Sequence, residues 1–107
     1  MHKLPPAPEI NKRGPVPPHR IVADWLRDQI KAGAWQPMQD PLPAEQTLSD
    51  HLGVARDTVR RAINVLREEG LVITVPQRGT YVAKTREELL AEGYPESEVE
   101  RILGRQK

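Results

Sequence analysis

The stretch LPAEQTLSDHLGVARDTVRRAINVL, residues 42–66, decides the fold, and it is best read outward from Gly53. Before that glycine, Leu48 and Leu52 stand four residues apart and share one face of a short helix. After it, Val59, Ala62, Ile63 and Leu66 mark the buried face of a second helix, which ends at Gly70. Pro43, with its fixed φ and missing N–H, suits the first turn of the earlier helix. Gly53 permits a sharp reversal between the two. Helix, glycine turn, helix is an arrangement that holds a recognition helix against DNA.

Toward the N-terminus, Ile21, Val22, Trp25, Leu26 and Ile30 fall on one helical face, which predicts a helix from His19 to Ala32 stopped by Gly33. A loop containing Pro37 and Pro41 follows. Toward the C-terminus, Leu71–Val75 is rich in β-branched residues and Thr80–Val82 is a second short strand. Pro76–Gly79 between them is turn material, so the two strands form a hairpin, the wing. The fold class is therefore α+β and mostly helical: a winged helix-turn-helix over residues 19–84, with a three-helix core and a β-hairpin wing.

The flanks read differently. Residues 1–18 hold six of the eleven prolines and no sustained apolar period, which predicts a disordered, proline-rich arm whose Lys3, Lys12 and Arg13 are solvated. Residues 85–107 form a short helical tail. Thr85 and Glu88 make a capping box, Gly93 and Pro95 punctuate the segment, and Leu89, Leu90, Val99, Ile102 and Leu103 are too many apolar residues for an acidic disordered tail. Two short helices are expected here, packed on the domain or on a partner chain, where they would supply a dimer contact.

Composition narrows the function. A chain of 107 residues has room for one small domain, and with no Phe, two Trp and two Tyr its core rests on Leu, Ile and Val. Oligomerisation would help so lean a domain stay folded. The absence of Cys removes thiol catalysis, disulfides and Cys-ligated zinc. His2, His19 and His51 are scattered without metal-ligand spacing, no nucleophile is linked to a base by a motif, and no glycine-rich phosphate loop is present. No enzyme, metal or cofactor is expected. No apolar run approaches membrane-spanning length, and the N-terminus lacks a signal-peptide stretch, so the expectation is a cytoplasmic, nucleoid-associated protein with no membrane partner. The net charge of +1 hides an asymmetry: Arg56, Arg60, Arg61 and Arg67 stand against Asp57 alone, while the tail from Thr85 carries six Glu against three Arg and one Lys. The middle attracts polyanions and the tail does not.

Three stretches, taken together, carry a resemblance over roughly Arg20 to Val82. Leu42-Pro43-Ala44-Glu45 precedes the second helix, Gly53-Val54-Ala55-Arg56-Asp57-Thr58-Val59-Arg60 crosses the turn, and Glu69-Gly70-Leu71-Val72 is followed by Gly79-Thr80-Tyr81-Val82. In order and spacing they resemble the GntR family of bacterial transcription regulators. The resemblance implies a dimeric, sequence-specific binder of double-stranded DNA, with the third helix in the major groove and the wing tip toward the minor groove. The chain departs from the family pattern at Ala55, where a capping Ser is common, at Gln46, where Arg is frequent, at Met38 and Gln77, where Gly is frequent, and by one residue fewer between Pro37 and Leu42. Family members typically add a C-terminal ligand-binding and dimerisation domain. Only 23 residues follow Lys84, so no small-molecule effector pocket of that kind is expected in this chain.

Within this frame the candidate DNA contacts are Gln46, Arg56, Asp57, Thr58, Arg60, Arg61, Arg78 and Gly79. Arg56 and Arg60, four apart, share a helical face with Thr58 beside them, turned away from Val59 and Ile63. Arg can take two hydrogen bonds from guanine, whereas phosphate contacts add affinity without sequence information. Asp57 reads chiefly as a favourable charge at a helix N-terminus. Arg61 and Arg67 are peripheral. The free N–H groups from Pro43 to Gln46 suit a phosphate, although Glu45 is placed to satisfy them locally. Arg78 beside Gly79 can enter a narrow minor groove. Trp25 and Trp35 read as core and loop anchors, and His51 as a surface residue. The reading is a DNA-binding regulator, taken as a repressor; the alternative is a winged-helix module for protein interaction or DNA maintenance in a plasmid, phage or chromosome assembly.

Overall fold

The computed structural model describes residues 4–84 and 86–104, with side chains through residue 101. Seven elements follow in order: α1 (Pro18–Lys31), α2 (Glu45–Leu52), α3 (Arg56–Glu68), β1 (Val72–Val75), β2 (Gly79–Val82), α4 (Arg86–Ala91) and α5 (Glu96–Gly104). This is a winged helix-turn-helix. Helix α3 packs against both α1 and α2, and its apolar face carries Val59, Ala62, Ile63 and Leu66, all buried. Val22, Leu26, Leu48, Leu52 and Val72 close on them to form one continuous core. Each fully buried aliphatic side chain there contributes about 1.5–3 kcal/mol relative to exposure. Ile30 packs at the edge of this core rather than inside it, and Ile21, expected on the same buried face, is half-buried.

The strands pair antiparallel, with Val72 opposite Val82 and Val75 opposite Gly79. Strand β2 thus begins one residue earlier than the sequence pattern indicates. Strand β1 begins one later, because the Leu71 N–H is taken by the Leu66 carbonyl in closing the end of α3. Helix α2 also starts later than Pro43. Its N-cap is Ala44, in extended conformation, because the preceding segment lies along the wing: Pro41 bridges Tyr81, and the Leu42 N–H donates to the Thr80 carbonyl at 2.7 Å. The helix can begin only after that pairing ends.

Two tight turns flank this segment, and both have the signature of a type II turn, with Pro at the second position and positive φ at the third. In one, Pro37 precedes Met38 at φ 64° and the Gln39 N–H donates to the Gln36 carbonyl; in the other, Pro76 precedes Gln77 at φ 65° and the Arg78 N–H donates to the Val75 carbonyl.

The proline-rich arm is not a free leader. Leu4 and Ile10 pack on the core, and the Pro5 and Pro6 carbonyls accept hydrogen bonds from His51 and Trp25. Two apolar anchors and a set of φ-locked prolines reduce what ordering the arm costs. At the other end, α4 and α5 pack on each other and bury Leu89 and Val99, outside the main core cluster. Lys84 ties the hairpin back to the domain through Glu92 at 2.6 Å. Thr85, half of the expected capping box, lies outside the described residues, as do the side chains of Ile102 and Leu103.

Candidate nucleic-acid interface

The geometry of the turn sets where α3 points. Gly53 takes a left-handed φ of 68°, and its N–H and that of Val54 both donate to the Ser49 carbonyl. The Ser49 hydroxyl, buried in the turn, donates back to the Val54 carbonyl at 2.5 Å. Nothing in the spacing of apolar residues singles Ser49 out; only its place four residues before the glycine hints at the role. The chain then leaves Ala55 in extended conformation and enters α3, whose first turn has no side-chain cap.

On the exposed face of α3 the candidate residues come together. Arg56, Arg60 and Arg61 all project into solvent with Asp57, while Thr58 is half-buried. They are not isolated charges. Glu45, at the start of α2, accepts from Arg60 Nε at 3.2 Å and Nη2 at 2.9 Å, and Arg56 lies 3.8 Å from the same carboxylate. That hydrogen-bonded carboxylate holds the Arg60 guanidinium above its ordinary pKa. Glu45 thus serves the arginines of the next helix, and among the described residues the expected bond to the N–H groups of its own is absent. Arg61 pairs with Asp57, four residues before it, at 3.1 Å. Gln46 donates to Asp50 along α2 at 2.8 Å. Of the three arginines, only Arg60 is hydrogen-bonded to a carboxylate among the described residues; Arg61 is ion-paired, and Arg56, at 3.8 Å, has the longest contact of the three.

Beside this face, the N-terminal end of α2, α3 and the wing enclose a cleft of about 280 Å³. Asn64 lines it, one helical turn beyond Arg60, and accepts a hydrogen bond from Arg67. Arg67 also donates to Thr74 on β1, which contacts Thr80 on β2, so a polar chain links α3 to the wing. Asn64 escapes the sequence pattern although it continues the four-residue spacing of Arg56 and Arg60; Arg67, read as peripheral, ties helix to wing. At the wing tip Arg78 and Gly79 are exposed on the turn. His51, read as a surface residue, is instead half-buried against the arm.

A family model for bacterial regulatory proteins, gntR family, matches residues 18–82. The HTH-type transcriptional repressor NagR of Bacillus subtilis is 39% identical over 84 residues, covering 78% of this chain and 34% of NagR. The mannosyl-D-glycerate transport/metabolism system repressor MngR of Escherichia coli is 40% identical over 73 residues, 68% of this chain and 30% of MngR. The chain thus spans about a third of the length of these relatives. Among solved structures, the AraR DNA-binding domain in complex with operator ORX1 superposes with a TM-score of 0.62 at 32% identity, covering 72% of this chain and 98% of that one. YtrA from Sulfolobus acidocaldarius, a GntR-family transcription factor, superposes with a TM-score of 0.61 at 29% identity, covering 78% of this chain and 88% of YtrA. With its winged helix-turn-helix and a family match that covers most of its length, the chain belongs to the gntR family of bacterial regulatory proteins.

Proposed function

We propose that this protein is a sequence-specific, double-stranded-DNA-binding transcription regulator, acting as a repressor at the nucleoid in the cytoplasm. The observation that carries the reading is the likeness, over 72% of this chain and 98% of the other, to an AraR DNA-binding domain solved on operator DNA. The exposed arginines at the start of α3 supply the matching chemistry. Helix α3 enters the major groove with Arg56 and Arg60 toward base edges or phosphates, Thr58 and Asp57 beside them, and Arg61 toward the backbone. Gln46, at the uncapped start of α2, sits where a phosphate meets free N–H groups, and Arg78 with Gly79 reaches the minor groove from the wing. The bound form is a homodimer reading paired half-sites, and the chain acts without catalysis or a cofactor.

Salt titration of binding to the promoter fragment upstream of its own gene tests this. Log K should fall by about 0.9 per phosphate neutralised, and the fragment should outcompete random DNA. A slope near zero, or equal affinity for any sequence, would sink the regulator and leave a protein-interaction module.

A further inference from the structure

The arm that precedes the family match makes contacts of an unusual kind. Leu4, Pro5 and Ala7 each precede a proline, which pushes them to extended backbone, and Pro5, Pro6 and Pro8 have fixed φ and no N–H. Such a segment forms no internal hydrogen bonds and leaves its carbonyls free for side-chain donors. Two donors meet two successive carbonyls here. Trp25 Nε1–H on α1 donates to the Pro6 carbonyl at 2.9 Å, and His51 Nε2 on the last turn of α2 binds the Pro5 carbonyl at 2.6 Å. A carbonyl only accepts, so Nε2 carries the proton. The two rings lie 5.8 Å apart between centroids, tilted by 42°, and Trp25 is only 6% exposed. Aromatic walls with an indole donor facing proline carbonyls are the chemistry by which proline-rich segments are held in grooves.

We infer that Trp25 and His51 form a binding site for an extended proline-containing segment, and that its ligand is this chain's own residues 4–8, docked in cis as a strap between α1 and the end of α2. Its separable character shows in the next stretch. Past the anchor at Ile10, residues 11–16 line with Ile21 a cleft of about 500 Å³, so the arm is fastened over residues 4–10 and again at α1, with a cleft beneath the stretch between. Helices α1 and α2 both pack chiefly on α3, and the strap bonds them to each other at the turn that aims the recognition helix.

The test uses the whole 107-residue chain with ¹⁵N-labelled tryptophan, the Trp35 indole serving as reference. Leu4→Asp removes the apolar anchor of the tip without touching the groove. The Trp25 indole resonance should then shift and its N–H should exchange with solvent at least about tenfold faster, while the circular dichroism stays unchanged. A synthetic peptide of residues 1–11 should restore the resonance, and the same peptide with Pro5→Ala and Pro6→Ala should not at equal concentration. An indole signal indifferent to Leu4→Asp, or a variant unmoved by the peptide, would overturn the site. A nitroxide on Ala7→Cys, the sole thiol in the chain, reads the source of the ligand. Broadening of Trp25 within the labelled molecule supports docking in cis; broadening only between two mixed copies overturns it in favour of exchanged arms.

Discussion

Among the arginines of α3 the geometry imposes a ranking that their spacing alone does not. Arg60 is held by two hydrogen bonds to Glu45, and DNA must compete with that carboxylate, whereas Arg56 has no such bond to lose. Arg56→Ala should weaken operator binding by about tenfold to a hundredfold and relax preference at one base pair, the cost of one bidentate base contact. Glu45→Gln frees Arg60 and removes a negative charge beside the phosphates, so affinity for random DNA should rise more than affinity for the operator. Competition assays at fixed salt measure both, and a Glu45→Gln chain with unchanged nonspecific affinity would mean that Arg60 stays turned from the DNA. Neither change should move thermal stability much, since both groups are exposed or half-exposed. Ile63→Ala should do the opposite and cost about 2–5 kcal/mol, because it empties a site in the core.

At the level of elements, the helices and the wing were legible because their apolar residues keep a period of 3.6 or a β-branched run, and Gly53 and Gly70 mark the helix ends with positive φ. What stayed hidden depends on partners far apart in sequence. The extended entry to α2 comes from pairing with β2, the docking of the arm from Trp25 and His51, and the Glu45–Arg60 pair from residues 15 apart. Departures from the family pattern are where local chemistry and structure disagree, and they give three stability predictions. Gln77 is exposed and left-handed at a position where the family often has Gly, so Gln77→Gly should raise stability by about 0.5–1 kcal/mol, the left-handed penalty less the backbone entropy of glycine. Met38 has the same φ but a half-buried side chain, and Met38→Gly should gain less. Ala55 leaves α3 without a side-chain cap, and Ala55→Ser should add about 1 kcal/mol by accepting from the first-turn N–H groups. Urea titrations read each, and a loss of stability on Gln77→Gly would mean that the wing turn relaxes out of the left-handed region in solution.

For the whole molecule the open question is what covers the tail. Leu89 and Val99 are satisfied between α4 and α5, but Leu90 is 39% exposed and Tyr94 43%, on a hairpin joined to the domain by the Lys84–Glu92 pair. Among the described residues, the main core cluster contains none from the tail. Removing the tail should therefore spare the winged domain, while burying Leu90 and Tyr94 requires a second surface, which in the proposed homodimer a symmetric copy of the same hairpin would supply. Half-sites about one helical turn apart then fall within reach of two recognition helices held at a fixed separation. A chain ending at Lys84 should stay folded by circular dichroism but sediment as a monomer, and should bind a paired site no better than an isolated half-site. Leu90→Lys in the whole chain should do the same with the hairpin intact, because a charge on each copy meets its mate across the two-fold axis. If both variants remain dimers with full operator affinity, the interface lies within the winged domain, and α1, the helix farthest in sequence from the wing, is where it would next be sought.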